Sequence, residues 1–187
     1  MQSQTAVVST PSLTGRRALA VALGAVLVAI AAQIALPLPG TPVPMTLQPL
    51  AVLLVGGLLG PGLGASSMIL YLVLGAAGLP VFTPFGLPGL ARLVGPTGGY
   101  LLAYPVAAFA VGKLAGDGRA VGRLALGVLA GLVLIHLGGL AQLVILTGSG
   151  SGALRLGTLP FVVGDLLKLG LAILILKPTV SPLRARL

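Results

Sequence analysis

Leu124-Ala-Leu-Gly-Val-Leu-Ala-Gly-Leu-Val-Leu-Ile-His-Leu-Gly-Gly-Leu-Ala-Gln-Leu-Val-Ile-Leu-Thr147 contains no Asp, Glu, Lys or Arg. A helix crosses the hydrocarbon core of a bilayer with about 20 predominantly apolar residues, so this stretch reads as a membrane span. The rest of the chain reads the same way. Over 187 residues the mean hydropathy is +1.15, with 57% hydrophobic and 7% charged residues, more apolar surface than one small aqueous core can hide. The length accommodates roughly six spans with short connections and leaves no room for a sizeable aqueous domain.

Proline and glycine write the breaks: Pro37-Leu-Pro39-Gly40-Thr-Pro-Val-Pro44, Gly60-Pro61-Gly62, Gly78-Leu-Pro80 through Gly89, and Thr147-Gly-Ser-Gly-Ser-Gly152. They predict spans at Ala18 to Leu36, Met45 to Leu59, Leu63 to Leu79, Leu93 to Leu114, Leu124 to Thr147 and Thr158 to Leu176. The second and third are short and joined so tightly that a hairpin is expected, and the longest connection, 80–92, has the composition of a lid.

Charge orients the bundle. With an inner N terminus, Arg16, Arg17, Lys113, Arg119, Arg123, Lys177, Arg184 and Arg186 fall inside, and only Arg92 and Arg155 outside, the asymmetry expected of a cytoplasmic face. Only an even number of spans puts both basic ends on one side. The run after Arg16-Arg17 outlasts the apolar region of a cleaved signal and is read as an uncleaved first span. The expected architecture is all-α and integral to the cell's inner membrane, multi-pass, with both termini cytoplasmic. It comprises a disordered tail over 1–15, a single six-helix domain over 16–178 and a basic tail over 179–187.

The net charge of +9 does not indicate nucleic acid, because no basic patch interleaved with aromatics and no recognition helix lies outside the apolar runs. There is no Cys, no Glu and one His, and no Lys is followed by Ser or Thr. Thiolate metal sites, paired-carboxylate enzymes and phosphate-loop ATPases therefore lack their required residues. No catalytic residue, metal or cofactor is expected.

Asp165 and Lys168 break the pattern from inside an apolar run that continues to Leu176. Ionised groups in hydrocarbon are costly and mark functional positions unless they are paired or hydrated. Three residues apart, they share one helix face, roughly 8 Å along the axis past Pro160 and so in the outer half of the bilayer. A structural ion pair between helices is the competing reading, but both charges lie on one helix, where such a pair stabilises little. A ligand site is the better account.

Near the same level, Thr97 and Tyr100 bring hydroxyls in Gly95-Pro-Thr-Gly-Gly-Tyr100, Gln48 brings an amide that needs partners, and Arg92 brings a loop cation. His136 is read as a neutral group satisfied by a neighbouring helix rather than a proton relay, since its own span has no acid. In the first span Ala18, Ala22, Ala25 and Ala29 form a small-residue face, suited either to close packing within the bundle or to a partner protein.

Together, Pro42-Val-Pro-Met-Thr-Leu-Gln48, Leu59-Gly-Pro61 with Gly64, Gly75-Ala-Ala-Gly-Leu-Pro80-Val-Phe82, Gly95 to Tyr100 and Pro160-Phe-Val-Val-Gly-Asp165-Leu-Leu-Lys168 resemble BioY, the biotin-binding S component of energy-coupling factor transporters. The match runs in order from about residue 18 to 177. The resemblance implies a six-helix S-component fold and capture of biotin from outside. It also implies partnership with a transmembrane T component, which would meet Ala18, Ala22, Ala25 and Ala29, and with two ATP-binding subunits.

The resemblance carries ligand contact to Asp165 and Lys168, with Gln48, Thr97 and Tyr100 as further contacts and Phe82, Phe85 and Tyr71 as apolar wall. Biotin offers ureido N–H donors and a carbonyl, an apolar thioether ring and a carboxylate. Asp165 suits a ureido N–H, and Lys168 suits either the ureido carbonyl or the carboxylate. Where the family resemblance implies a glycine-rich outer loop with a basic or polar residue, this chain has Phe82-Thr-Pro-Phe-Gly-Leu-Pro-Gly89, which leaves Arg92 as the stand-in. Two other classes stay open: a self-contained proton-coupled transporter using His136, and a structural membrane subunit without a ligand.

Overall fold

The computed structural model describes residues 12–187. Most of the tail expected over 1–15 therefore lies outside the described residues, and its last three positions are already helical. Helix α1 (Leu13–Gln33) starts where Ser12 Oγ accepts the Gly15 N–H at 3.2 Å. It stops short of the expected Leu36. Ala35–Leu36 (β1) pairs antiparallel with Met45–Thr46 (β2), a correction to both the first and second expected spans. The physical reason is the four prolines between these strands: each lacks an N–H and biases the residue before it toward extended backbone.

Helix α2 (Gln48–Ala76) breaks at Gly60, whose φ of 82° and ψ of 178° no helix contains and which glycine adopts without a Cβ clash. A Cβ on Gly64 would lie 2.9 Å from the Cα of Gly56, although eight residues of straight helix span roughly 12 Å. The chain therefore folds back on itself, as Gly60-Pro61-Gly62 predicts. A short helix α3 (Leu90–Val94) follows the 77–89 loop. Gly95-Pro96-Thr97 separates it from α4 (Gly98–Leu114), so the expected fourth span begins late, where Pro96 interrupts helical hydrogen bonding.

Helix α5 (Val121–Thr147) ends in Gly148 at φ 68°, the left-handed cap that favours glycine. Then come α6 (Gly150–Gly157), a 3-10 turn at Leu159–Phe161, and α7 (Val162–Arg184). α7 starts later than the expected Thr158 and runs on past Leu176 through Pro178 and Pro182.

The α1, α2, α5 and Gly150–Arg184 segments are long and apolar enough to cross a membrane, and α4 is apolar but shorter. Large side chains such as Leu19, Ile145, Leu167 and Leu174 cover the outside, a distribution that only lipid makes favourable. Inside, small residues let backbones touch: a Cβ on Gly56 would strike Ala108 of α4, and one on Gly112 would strike the Gly60-Pro61 turn.

The bundle has two distinct ends. At one, Arg17 Nε donates to the Leu187 carbonyl at 2.9 Å, and the Arg184 guanidinium donates to the carbonyls of Gly57, Gly112 and Gly116. At the other, Gln33 Nε2 donates to the Phe82 carbonyl at 3.0 Å and Thr41 Oγ1 to the Leu156 carbonyl at 2.7 Å. The first bond ties α1 to the 77–89 loop and the second ties the β1–β2 hairpin to α6, and these segments form a roof.

Candidate functional site

Under that roof a cleft of about 570 Å³, its mouth included, opens between α2, α4, α5 and α7. On α7, Lys168 Nζ donates to Asp165 Oδ1 at 3.0 Å, and the two residues are 6% and 5% exposed. The carboxylate has a second partner on another helix, His136 of α5, whose Nε2 lies 2.7 Å from Oδ2. On the far side of the ring, Nδ1 meets Thr158 Oγ1 at 3.3 Å. Three ionisable side chains thus share one hydrogen-bonded chain, and all three line the cleft.

Its chemistry follows from what is left over. A carboxylate has about four acceptor positions and an ammonium three donors. Asp165 accepts from two partners, and Lys168 donates only to Asp165 among the described residues. The site therefore presents an acceptor beside a donor, the complement of an N–H next to a C=O. A buried ion pair is stable only when its remaining capacity is met, and that capacity faces the cleft.

The opposite wall begins at the N terminus of α2. Gln48 Nε2 donates to the Tyr71 hydroxyl at 2.7 Å, and Gln48 Oε1 accepts from Thr46 Oγ1 at 3.2 Å. Tyr71 lies one layer behind the lining and meets the Phe82 ring edge-on, with centroids 5.4 Å apart. Phe82 lines the cleft, whereas Phe85 is outside the lining and nearly half exposed. Tyr100 closes the α4 side, donating from its hydroxyl to the Gly157 carbonyl at 2.6 Å, with Gly139 of α5 so close that a Cβ would overlap its ring. Thr97 lines the same side.

Arg92 is buried rather than solvated. Its guanidinium donates to the carbonyls of Thr83, at 2.8 Å, and Phe85, fastening the 77–89 loop. Its Nε, also buried, has no partner among the described residues. Burial pushes this guanidinium below its ordinary value, but arginine starts so high that it stays a cation at neutral pH.

Of the residues singled out from sequence, Asp165, Lys168, Gln48, Thr97, Tyr100, Arg92 and Phe82 meet in one cleft, with Tyr71 just behind it. The group that sequence reasoning undervalued is His136, which is satisfied by a neighbouring helix as expected, but by Asp165 itself. Tyr104 was not anticipated: it lines the cleft, and its hydroxyl has no hydrogen-bond partner among the described residues. The small-residue face of α1 divides. Ala18 and Ala22 are exposed, Ala29 is half-buried, and Ala25 is only 2% exposed. Ala25 falls within the buried stripe of Gly24, Val28 and Ala32 and is closed to any partner.

Comparison with known proteins puts this geometry in a family. The chain is 44% identical over 155 residues to a probable biotin transporter BioY of Pyrococcus horikoshii, covering 83% of this chain and 90% of that protein. It is 40% identical over 149 residues to a biotin transporter BioY of Thermotoga maritima, covering 80% and 86%. Its fold superposes on a crystal structure of the S-component for biotin from an ECF-type ABC transporter. The TM-score is 0.80 at 27% identity, over 91% of this chain and 94% of that one. The family model described as the BioY family matches residues 3–185, and the chain belongs to the BioY family.

Proposed function

We propose that this protein is a non-enzymatic membrane subunit that binds biotin and presents it for uptake. The observation that carries the proposal is the Asp165–Lys168 pair lining an otherwise largely apolar cleft, in a chain similar to proteins named biotin transporters. A ureido edge sets N–H beside C=O, which suits an Asp165 acceptor next to a Lys168 donor. The fused rings then lie against Phe82, Tyr100 and Ile135, while Gln48, Thr97 and Tyr104 offer neutral polar contacts. The carboxylate falls to the second cation of the lining, Arg92.

Six crossings follow if α2 counts as two, one on each side of Gly60. The basic residues Arg16, Arg17, Arg119, Arg123 and Arg186 gather near the end where Arg17 meets Leu187, which supports a cytoplasmic face there, both termini inside and a cleft opening outward. In the inner membrane, such a subunit works with a T component and ATP-binding subunits, as the S-component likeness supports. Ala18 and Ala22 are the part of the α1 small-residue face open to the T component.

Titration of purified protein with biotin tests the reading. Asp165→Asn and Lys168→Ala should each weaken binding by about 30-fold or more, as expected when one partner of a buried charged pair is removed. Wild-type affinity in both variants would refute the site. The His136–Asp165 contact is the one observation favouring a proton-coupled alternative. Uptake that survives ATP depletion and collapses with the proton gradient would select it.

A further inference from the structure

His136 is the one ionisable group of the cleft, partly buried, that ligand binding as described does not use. Both ring nitrogens are engaged within the protein, Nε2 with Asp165 Oδ2 at 2.7 Å and Nδ1 with Thr158 Oγ1 at 3.3 Å, so neither is left for a ligand. A carboxylate only accepts, so Nε2 carries the proton of this bond. In the neutral ring Nδ1 must then accept, and the Thr158 hydroxyl is the donor that meets it. The ring plane is held as well. Tyr100 packs against it edge-on, with centroids 6.1 Å apart, and Tyr100 is itself tied to Gly157, the residue before Thr158.

We infer that His136 is a positioning residue: Thr158 sets its tautomer, and its Nε2–H fixes the Asp165 carboxylate in the orientation that receives the ligand. Lys168 cannot do this alone, because it rides on the same helix as Asp165 and can follow the carboxylate wherever it turns. His136 comes from α5 and Thr158 from the α6–α7 junction, so together they refer the carboxylate to a frame outside α7. Without that frame Asp165 and Lys168 can close on each other as an inward-turned pair, and the acceptor offered to the cleft is lost. Preorganisation of this kind raises affinity by removing an ordering cost at binding. The inference rests on the reading of the cleft as a biotin site.

The test uses the full chain and two readouts. In biotin titrations, His136→Leu should weaken binding about tenfold or more, as loss of a charge-assisted hydrogen bond predicts. His136→Gln, which keeps an N–H near Nε2, should recover to within about threefold of wild type, and in an Asp165→Asn background His136→Leu should add less than about twofold. If Leu and Gln variants bind equally, or if His136→Leu lowers affinity by the same factor with or without Asp165, the role is packing and the inference falls.

The second readout needs no ligand. The chain contains one histidine, so selective 15N labelling reports a single ring. At mildly alkaline pH it should show protonated Nε2 and bare Nδ1, with Nε2 shifting in Asp165→Asn and Nδ1 in Thr158→Val. A ring protonated on Nδ1, or one indifferent to both substitutions, overturns the inference. Failure of the wild type to bind biotin would instead remove the functional reading, and the 15N spectra would still decide whether His136 holds Asp165.

Discussion

Replacing Lys168 by Met keeps the aliphatic stem and removes the charge, leaving Asp165 buried with His136 as its remaining partner. At the 3.0 Å separation of this pair, the Coulomb attraction given up is about 5.5 kcal/mol at an effective dielectric near 20. Part of it returns because the ammonium no longer has to be desolvated. The loss also has a ceiling: an uncompensated carboxylate can take up a proton, and protonating an ordinary aspartate at pH 7 costs about 4 kcal/mol. We therefore expect Lys168→Met to destabilise the ligand-free protein by about 3 kcal/mol, in line with breaking other buried ion pairs. For a chain of this size that corresponds to a fall of roughly 6–12 °C in melting temperature. The double variant Lys168→Met/Asp165→Asn has no orphaned charge and should recover to within about 1 kcal/mol of wild type. Both are to be melted in detergent without biotin. A single variant melting with the wild type, or a double variant no more stable than the single, would refute the view that the pair is a mutually compensated charge in a low-dielectric site.

Gly139→Ala drives a methyl into the Tyr100 ring. It should cost about 1–3 kcal/mol of stability and weaken biotin binding, read by melting and titration of the same preparation. Arg184→Met leaves the Gly57, Gly112 and Gly116 carbonyls without their donor. A loss of about 2–3 kcal/mol is expected, with biotin affinity falling only slightly, about twofold, because Arg184 is remote from the cleft lining and acts on it only through the setting of α7. Because the chain has no cysteine, Leu87→Cys and Arg119→Cys can be probed with a membrane-impermeant maleimide on intact cells. Labelling only at position 87 is the outcome expected of an outward cleft and an inner α4–α5 connection.

Apolar run length and the Gly-Pro punctuation made the helices legible, because lipid leaves a spanning chain few options besides closing its backbone hydrogen bonds within each segment. The fold-back at Gly60 was legible for a local reason, a glycine next to a proline. The β1–β2 pairing was not, since Ala35-Leu36 and Met45-Thr46 carry no alternation and only the prolines between them hint at extended chain. Asp165 and Lys168 stood out because hydrocarbon makes any charge conspicuous. Their partner His136 did not, because its bond reaches a residue 29 positions away and nothing within its own span signals it. Arg184 shows the opposite limit. Counted from sequence as one more inner-face charge, it is folded inward onto three backbone carbonyls, a use that depends on helix ends brought together only by tertiary packing.

Helix α7 buries a narrow seam of Asp165, Lys168, Ala172, Leu176 and Val180, and lipid is nearly as good a neighbour for its apolar members as protein is. Apolar contact alone leaves such a rod free to spin or slide. It is stopped at both ends by charge: Asp165 is hooked to α5 and, roughly 28 Å along the axis, Arg184 is hooked to the α2 turn and the end of α4. Two polar pins so far apart define the azimuth and the height of the rod together. The aim of Asp165 and Lys168 into the cleft is thus set in part by an arginine at the opposite end of the bundle.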